Sequence, residues 1–384
     1  MTRVLLRSLL ALVLAAASVL VVLRVLRPGD LLASGSTTTY SRQLGRKPGV
    51  TGRLNLAPLI VDGRFRVYAA KRQVRADGPV DAKTVYTPRW SFRRWPQQLD
   101  GVVASGATVV TRWSDGQLVA IDGRTGKIAW RIPGPAAAGY TGHSTGATTV
   151  WSPPGLHVAG GAVVVASGRS LAAYDVRTGV RRWQTAVPAG CTDGFTTAGG
   201  QYACPTGGYD LATGQPVASW PAGPFTPVGC EVAASDCAGL RDGASQGWRV
   251  DGPAPRRLAE LDRPGTTIAA GYVFVTAADG GLQAVDLKTG TRRTYAAGEA
   301  LGVSDGRLVI LQPDRRLHEV ELSTGRTVAE FKPAEPGETL DWTPGLYQLV
   351  AGHLAIERRA VGGPADPDSY GYYFSAIPVI VCAI

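Results

Sequence analysis

The sequence predicts an all-β fold, a β-propeller of four-stranded blades preceded by one N-terminal transmembrane helix. Three observations carry this expectation. The first is a hairpin motif that recurs along the chain. The second is composition: 49 Gly and 26 Pro in 384 residues, far more turn formers than a helical bundle tolerates. The third is a single uninterrupted apolar run, found at the N-terminus.

The motif is an acidic residue, two variable residues, then Thr-Gly. It occurs at Asp122/Gly126, Asp175/Gly179, Asp210/Gly214, Asp286/Gly290 and Glu321/Gly325. An alternating apolar run precedes each acid, as in LVAIDGRTGKIAW at 118–130, and reads as a strand. The acid accepts backbone N–H groups two or three residues on, and the Gly takes positive φ, so the unit is a tight turn. An aromatic follows on the return strand: Trp130, Trp183, Trp220, Tyr295 and Phe331. These rings are expected to dock blade on blade. The acids are spaced by 53, 35, 76 and 35 residues, and a degraded copy at Asp251 divides the gap of 76. With another strand pair upstream of most turns, the period is that of a four-stranded propeller blade. Eight blades fit residues 48–384 and seven is the alternative. Closure would pair the N-terminal and C-terminal strands.

Ser8 to Leu23 carries no charge, and Val4 to Leu26 is continuous if Arg7 and Arg24 snorkel. At 1.5 Å per residue, 23 residues give about 34 Å of helix, enough for a bilayer core of about 30 Å. Residues 1–27 are therefore read as a signal anchor, 28–47 as a polar tether and 48–384 as the propeller. Basic residues on the N-terminal flank favour an outside body. A cleaved signal, with Ala15 to Ala17 as the small-residue site, is the competing reading.

The cysteines agree with an oxidising compartment. Cys191, Cys204, Cys230 and Cys237 fall within 47 residues with no CxxC, and the four His are scattered, which disfavours zinc. Two disulfides are expected. Local pairing would close loops of 14 and 8 residues, each stabilising by about 2–3 kcal/mol, and cross-pairing is the alternative. Cys382 is left over, in the apolar run at the C-terminus.

The formal charge of +10 is uneven. Residues 41–96 hold 13 basic and 3 acidic residues, whereas 97–384 hold 23 and 26. A nucleic-acid binder more often carries its charge on the folded body, and the predicted side of the membrane is the wrong one for it, so no nucleic-acid partner is expected. The basic stretch includes Arg64, Arg66, Lys71, Arg72, Arg75, Arg93 and Arg94. It has two readings: outward faces of a first blade, or a membrane-proximal patch meeting anionic lipid or acidic wall polymers.

The (L/A)xAxDxxTGxxxW unit over roughly 101–333 resembles the repeat of the pyrroloquinoline-quinone-like β-propellers, in particular the non-catalytic BamB-type branch. The resemblance to the quinoprotein dehydrogenases of that superfamily would imply a quinone in the central channel, calcium held by Glu, Asn and Asp, and a disulfide between adjacent cysteines. The chain has no adjacent cysteines and one Asn, Asn55, outside the well-matched repeats. Catalytic positions are therefore not carried over, and no cofactor or metal is expected. Two G-x-S-x-G matches, at 142–146 and 243–247, precede strand-like sequence where a hydrolase elbow needs a helix. The resulting expectation is a non-catalytic, extracytoplasmic scaffold with a protein partner in the cell envelope. A quinone-dependent dehydrogenase and a solute-binding sensor are the alternatives. The bulky loops 131–150, 186–195 and 360–371 are the expected contact surfaces.

Overall fold

The computed structural model describes residues 11–21, 29–35, 47–81, 87–142, 145–277, 280–362 and 378–384. The strands form eight separate antiparallel sheets in chain order, one per blade. Blade 1 spans Leu59 to Trp95, blade 2 Leu99 to Ile132, blade 3 Leu156 to Ala186 and blade 4 Phe195 to Asp210. Blade 5 spans Thr226 to Arg257, blade 6 Thr267 to Tyr295 and blade 7 Glu299 to Phe331. Blade 8 is assembled from both ends of the chain. Its inner strands are Trp342–Val350, His353–Ala360 and Val379–Ala383, and its outermost strand is Gly49–Leu54. The register Arg53↔Ile380 and Leu54↔Val379 closes the ring, so no blade edge is left open between the two ends of the propeller.

Local chemistry makes each repeat turn. Asp122 Oδ1 accepts the N–H groups of Arg124 and Thr125 at 2.9 Å each, while Gly126 N–H donates to the Asp122 carbonyl at 2.7 Å. Asp175, Asp210 and Asp286 repeat this geometry. Glu321 is a methylene too long for it and instead accepts the Thr324 hydroxyl at 2.6 Å. Gly126, Gly179, Gly214, Gly290 and Gly325 all have φ between 72° and 77°, where a side chain is strained.

The N-terminal region departs from the expected layout in one respect. Gly29–Ser34, read as tether, is a strand that pairs with Thr87–Trp95 and gives blade 1 a fifth, outermost strand. Its Asp30 carboxylate accepts from Arg94 at 3.1 Å and also pairs with Arg131, fastening the strand across blades 1 and 2. The apolar segment 4–26 lies only partly among the described residues, where 11–21 form an exposed α-helix. No helix among the described residues is long and apolar enough to cross a membrane.

The seven basic residues of the expected patch do not share one exposed face. Arg66 is 1% exposed and lies over the Tyr68 ring, near Asp77. Arg94 is buried, with a bidentate pair to Asp115 at 2.9 Å for both bonds. A buried guanidinium demands such partners, and so is withdrawn from lipid or polymer. Arg64 pairs with Asp62 and Arg75 with Asp77, and Arg72 stacks on Trp95 at 4.3 Å. Lys71 and Arg93 are exposed.

Candidate functional site

The expected docking aromatics divide into two groups. Trp130 Nε1 donates to the carbonyl of Val176 in blade 3 at 3.0 Å, and a Cβ on Gly179 would lie 2.8 Å from its ring. Trp183 repeats this on blade 4, donating to Leu211 O at 2.8 Å and covering Gly214. Trp90, which the repeat pattern did not flag, does the same on blade 2, donating to Gly123 O at 2.8 Å and covering Gly126. Each acceptor is the residue after the acid of the next turn. Tyr295 donates its hydroxyl to Leu322 O at 3.2 Å, while the neighbouring Arg293 covers Gly325 and donates to the same carbonyl at 3.1 Å. Trp220 and Phe331 do otherwise. Trp220 packs on Gly208 of its own blade and edge-on to Phe225, and Phe331 packs against the blade 7–8 core.

The central axis holds the other distinctive site. A cavity of about 470 Å³ opens at the face carrying the first hairpin turn of each blade, which is also the face of the repeat turns. Leu59, Val103, Val158 and Val350 give it apolar walls from blades 1, 2, 3 and 8. Two segments of the chain enter it. The first is the helix Ala147–Trp151, in the connection from blade 2 to blade 3. Trp151 is fully buried and donates Nε1 to Pro58 O at 3.0 Å, and the Thr145 hydroxyl donates to Glu357 at 2.5 Å. The helix thus joins blades 1 and 8 from a blade 2 connection.

The second segment is the loop between Cys230 and Cys237 of blade 5. Its Val232 makes a β-bridge to Gln348 of blade 8, a non-neighbouring blade, so the loop crosses the axis. Its Ala234 carbonyl accepts Thr196 N–H of blade 4 at 3.1 Å, and Asp236 N–H donates to the Thr196 hydroxyl at 3.1 Å. Gln348 in turn bonds both backbone groups of Ile60, locking blade 8 to blade 1.

The ionisable residues lining the cavity are Asp62, Glu231 and Asp236. Asp62 is paired with Arg64 and Arg124. Burial pushes the Asp236 carboxyl up to about 6, and the nearby Glu231 charge adds to the rise. His157 is buried beside Tyr202, with ring centroids 5.6 Å apart. Burial pulls it down to about 4, against a hydrogen bond to the Ala234 backbone.

Both local cysteine pairs are bridged, Cys191 to Cys204 and Cys230 to Cys237. Cys382 is free and buried in Val379–Ala383, and burial pushes its thiol up.

The site does not fit a calcium-held quinone. Asn55 is exposed and away from the cavity, and among the described residues no three His, Cys, Asp or Glu side chains group to hold a metal. The Ala147–Trp151 helix and the 230–237 loop take up space along the axis. The hydrolase motifs fare similarly. A helix rather than the expected strand follows Thr145, but 133–142 supplies no strand before it, and 143–144 lie outside the described residues. Ser245 sits in a hairpin turn held by Asp242, which accepts Ala244 and Gln246 N–H at 2.9 Å each. Of the three bulky loops, 363–371 lies outside the described residues.

The sequence matches the family profile described as outer membrane protein assembly factor BamB over residues 47–203 and 87–330. No curated protein matches it. Among solved structures, BamB from Moraxella catarrhalis is 16% identical with a TM-score of 0.42, covering 92% of this chain and 98% of that one. The computationally designed Ika8 protein is 13% identical with a TM-score of 0.48, covering 87% and 99%. A europium-containing methanol dehydrogenase is 14% identical with a TM-score of 0.42, covering 88% and 92%. With the repeat turns, the docked rings and the profile match agreeing over most of its length, the chain belongs to the pyrroloquinoline-quinone-like β-propeller family of outer membrane protein assembly factor BamB.

Proposed function

We propose that the chain is a non-catalytic, membrane-anchored, extracytoplasmic scaffold that binds a protein partner in the cell envelope. The observation that carries this reading is that the chain's own helix and stapled loop occupy part of the axis, which favours the loop-bearing faces as the working surfaces. Two disulfides fit an oxidising compartment. The apolar run Val4 to Leu26 suits an anchor.

The test is amine labelling of intact cells with a reagent that cannot cross membranes, combined with an activity assay of the purified protein. Lys127 and Lys288 are exposed and should label without lysis. Labelling only after lysis would overturn the location. Dehydrogenase activity on adding the quinone and calcium would overturn the non-catalytic role. The axial cavity favours one second reading, a solute sensor, which predicts saturable binding of one small molecule.

A further inference from the structure

The ring-on-turn joints form a series in which one position is open. In blades 1, 2 and 3 the covering Trp stands opposite an Ala, in the pairs Trp90↔Ala76, Trp130↔Ala120 and Trp183↔Ala173. In blades 2 and 3 that Ala lies two residues before the blade's own repeat acid. Arg293↔Ala284 holds the same register in blade 6. All four side chains cover the Gly of the next blade's turn and donate to the carbonyl that follows its acid.

The turn of blade 6 is as well made as the others. Asp286 accepts Lys288 N–H at 2.7 Å and Thr289 N–H at 3.1 Å, Gly290 N–H donates to Asp286 O at 2.8 Å, and Gly290 has φ 72°. Yet nothing lies within 4 Å of a Cβ built on Gly290. Gly290 is exposed, whereas Gly126, Gly179 and Gly214 are buried. Among the described residues no side chain donates to the Leu287 carbonyl. The cause lies in blade 5, whose outer strand is only Arg256–Arg257. Arg256 pairs with Arg249 and so stands where the other blades place Trp or Arg293, but it points to solvent.

We infer that the Asp286–Gly290 turn is a docking slot for a tryptophan carried on an extended segment of a partner protein. The occupant follows from the occupied copies: a flat ring over the Gly, an N–H to the carbonyl after the acid, and a strand beside the preceding blade. The outer strand of blade 5 is two residues long, against five, six, four and five in blades 2, 3, 6 and 7, so its edge ends short beside the turn. This names the partner's contact chemistry, and it rests on the scaffold reading only in taking the partner to be a protein.

The test uses the full chain and a blocked peptide copying its own Ile128–Ile132 segment, Ile-Ala-Trp-Arg-Ile. Amide NMR of labelled protein should show saturable shifts at Leu287, Lys288 and Gly290. The Trp-to-Ala peptide should bind at least tenfold more weakly. Arg256→Trp should fill the slot from within and reduce peptide binding by a similar factor. Absence of shifts at the turn, equal binding of the two peptides, or equal binding by N-acetyl-tryptophanamide and the Trp peptide would overturn the inference. The NMR map and the peptide pair decide the matter even if Arg256→Trp misfolds. A negative result here would leave the cell-labelling outcome unaffected, so the two readings fail separately.

Discussion

Removing one docked ring should reveal how the blades are held together. Trp130 is 8% exposed and joins blade 2 to blade 3. A tryptophan buries roughly 150–250 Å², which at about 25 cal/mol per Å² is worth about 4–6 kcal/mol. Core Trp→Ala substitutions cost about 3–5 kcal/mol, so about 4 kcal/mol is expected for Trp130→Ala. Gly179→Ala carries two costs. A side chain at φ 72° costs about 1–2 kcal/mol. Its Cβ would also lie 2.8 Å from the Trp130 ring, an overlap of the kind that costs about 1–3 kcal/mol. The second cost exists only while the ring is present. The double variant should therefore be destabilised by about 1–3 kcal/mol less than the sum of the singles. Urea unfolding at pH 7 of the four proteins in this cycle measures the difference. Costs that add to within about 0.5 kcal/mol would refute ring-on-glycine docking as the joint.

Other expectations concern buried charge and the bridges. His157 is held near 4 in the folded state against an ordinary 6.5, so its contribution is present at neutral pH and is lost as pH falls from about 6.5 toward 4. Asp236, raised to about 6, does the opposite: its contribution is present below about 4 and is lost as pH rises through 6. Asp236→Asn should therefore raise stability at pH 7 by an amount on the order of 2 kcal/mol and steepen the acid loss, read as melting temperature against pH. An unchanged profile would contradict the desolvated carboxylate. Arg94→Ala should cost about 1–3 kcal/mol, because Asp115 loses its bidentate partner while Asp30 keeps Arg131. Lys71→Ala should stay within about 0.5 kcal/mol in the same urea assay. Replacing Cys191 and Cys204 by Ser should lower stability by about 2–3 kcal/mol, and reductant should then add the loss of the Cys230–Cys237 bridge alone.

The repeat was legible because its turn needs specific atoms at fixed offsets. A short carboxylate at Asp122 and a glycine at 126 leave few substitutes, so five copies survive as a visible pattern. The docking rule was only partly legible. Trp90 belongs to the series, but no repeat turn of the same form precedes it. Arg293 stands in the tryptophan register while Tyr295, two residues on, carries the visible aromatic signal. Gly29–Ser34 was missed because GDLLAS lacks a clear two-residue alternation and is held by Asp30 to arginines far along the chain. The short helix Ala147–Trp151 reads as a strand, since Thr-Thr-Val-Trp favours β structure locally and the packing of Trp151 overrides it. The axial loop was not readable at all. What places Val232 against Gln348 is a contact between distant blades, and no local pattern encodes it. The basic cluster was legible only as charge, since net charge in a segment says nothing about which guanidinium is buried beside which aspartate.

The scaffold account is tested most directly by photo-cross-linking in intact cells. A photoreactive residue placed at Lys288, on the exposed face of the blade 6 turn, should give one dominant adduct with a protein of the cell envelope. The same residue at Val163, buried in the blade 3 core, should give none. An adduct with cytoplasmic proteins only would contradict the account, whereas no adduct from Lys288 would contradict the blade 6 docking slot.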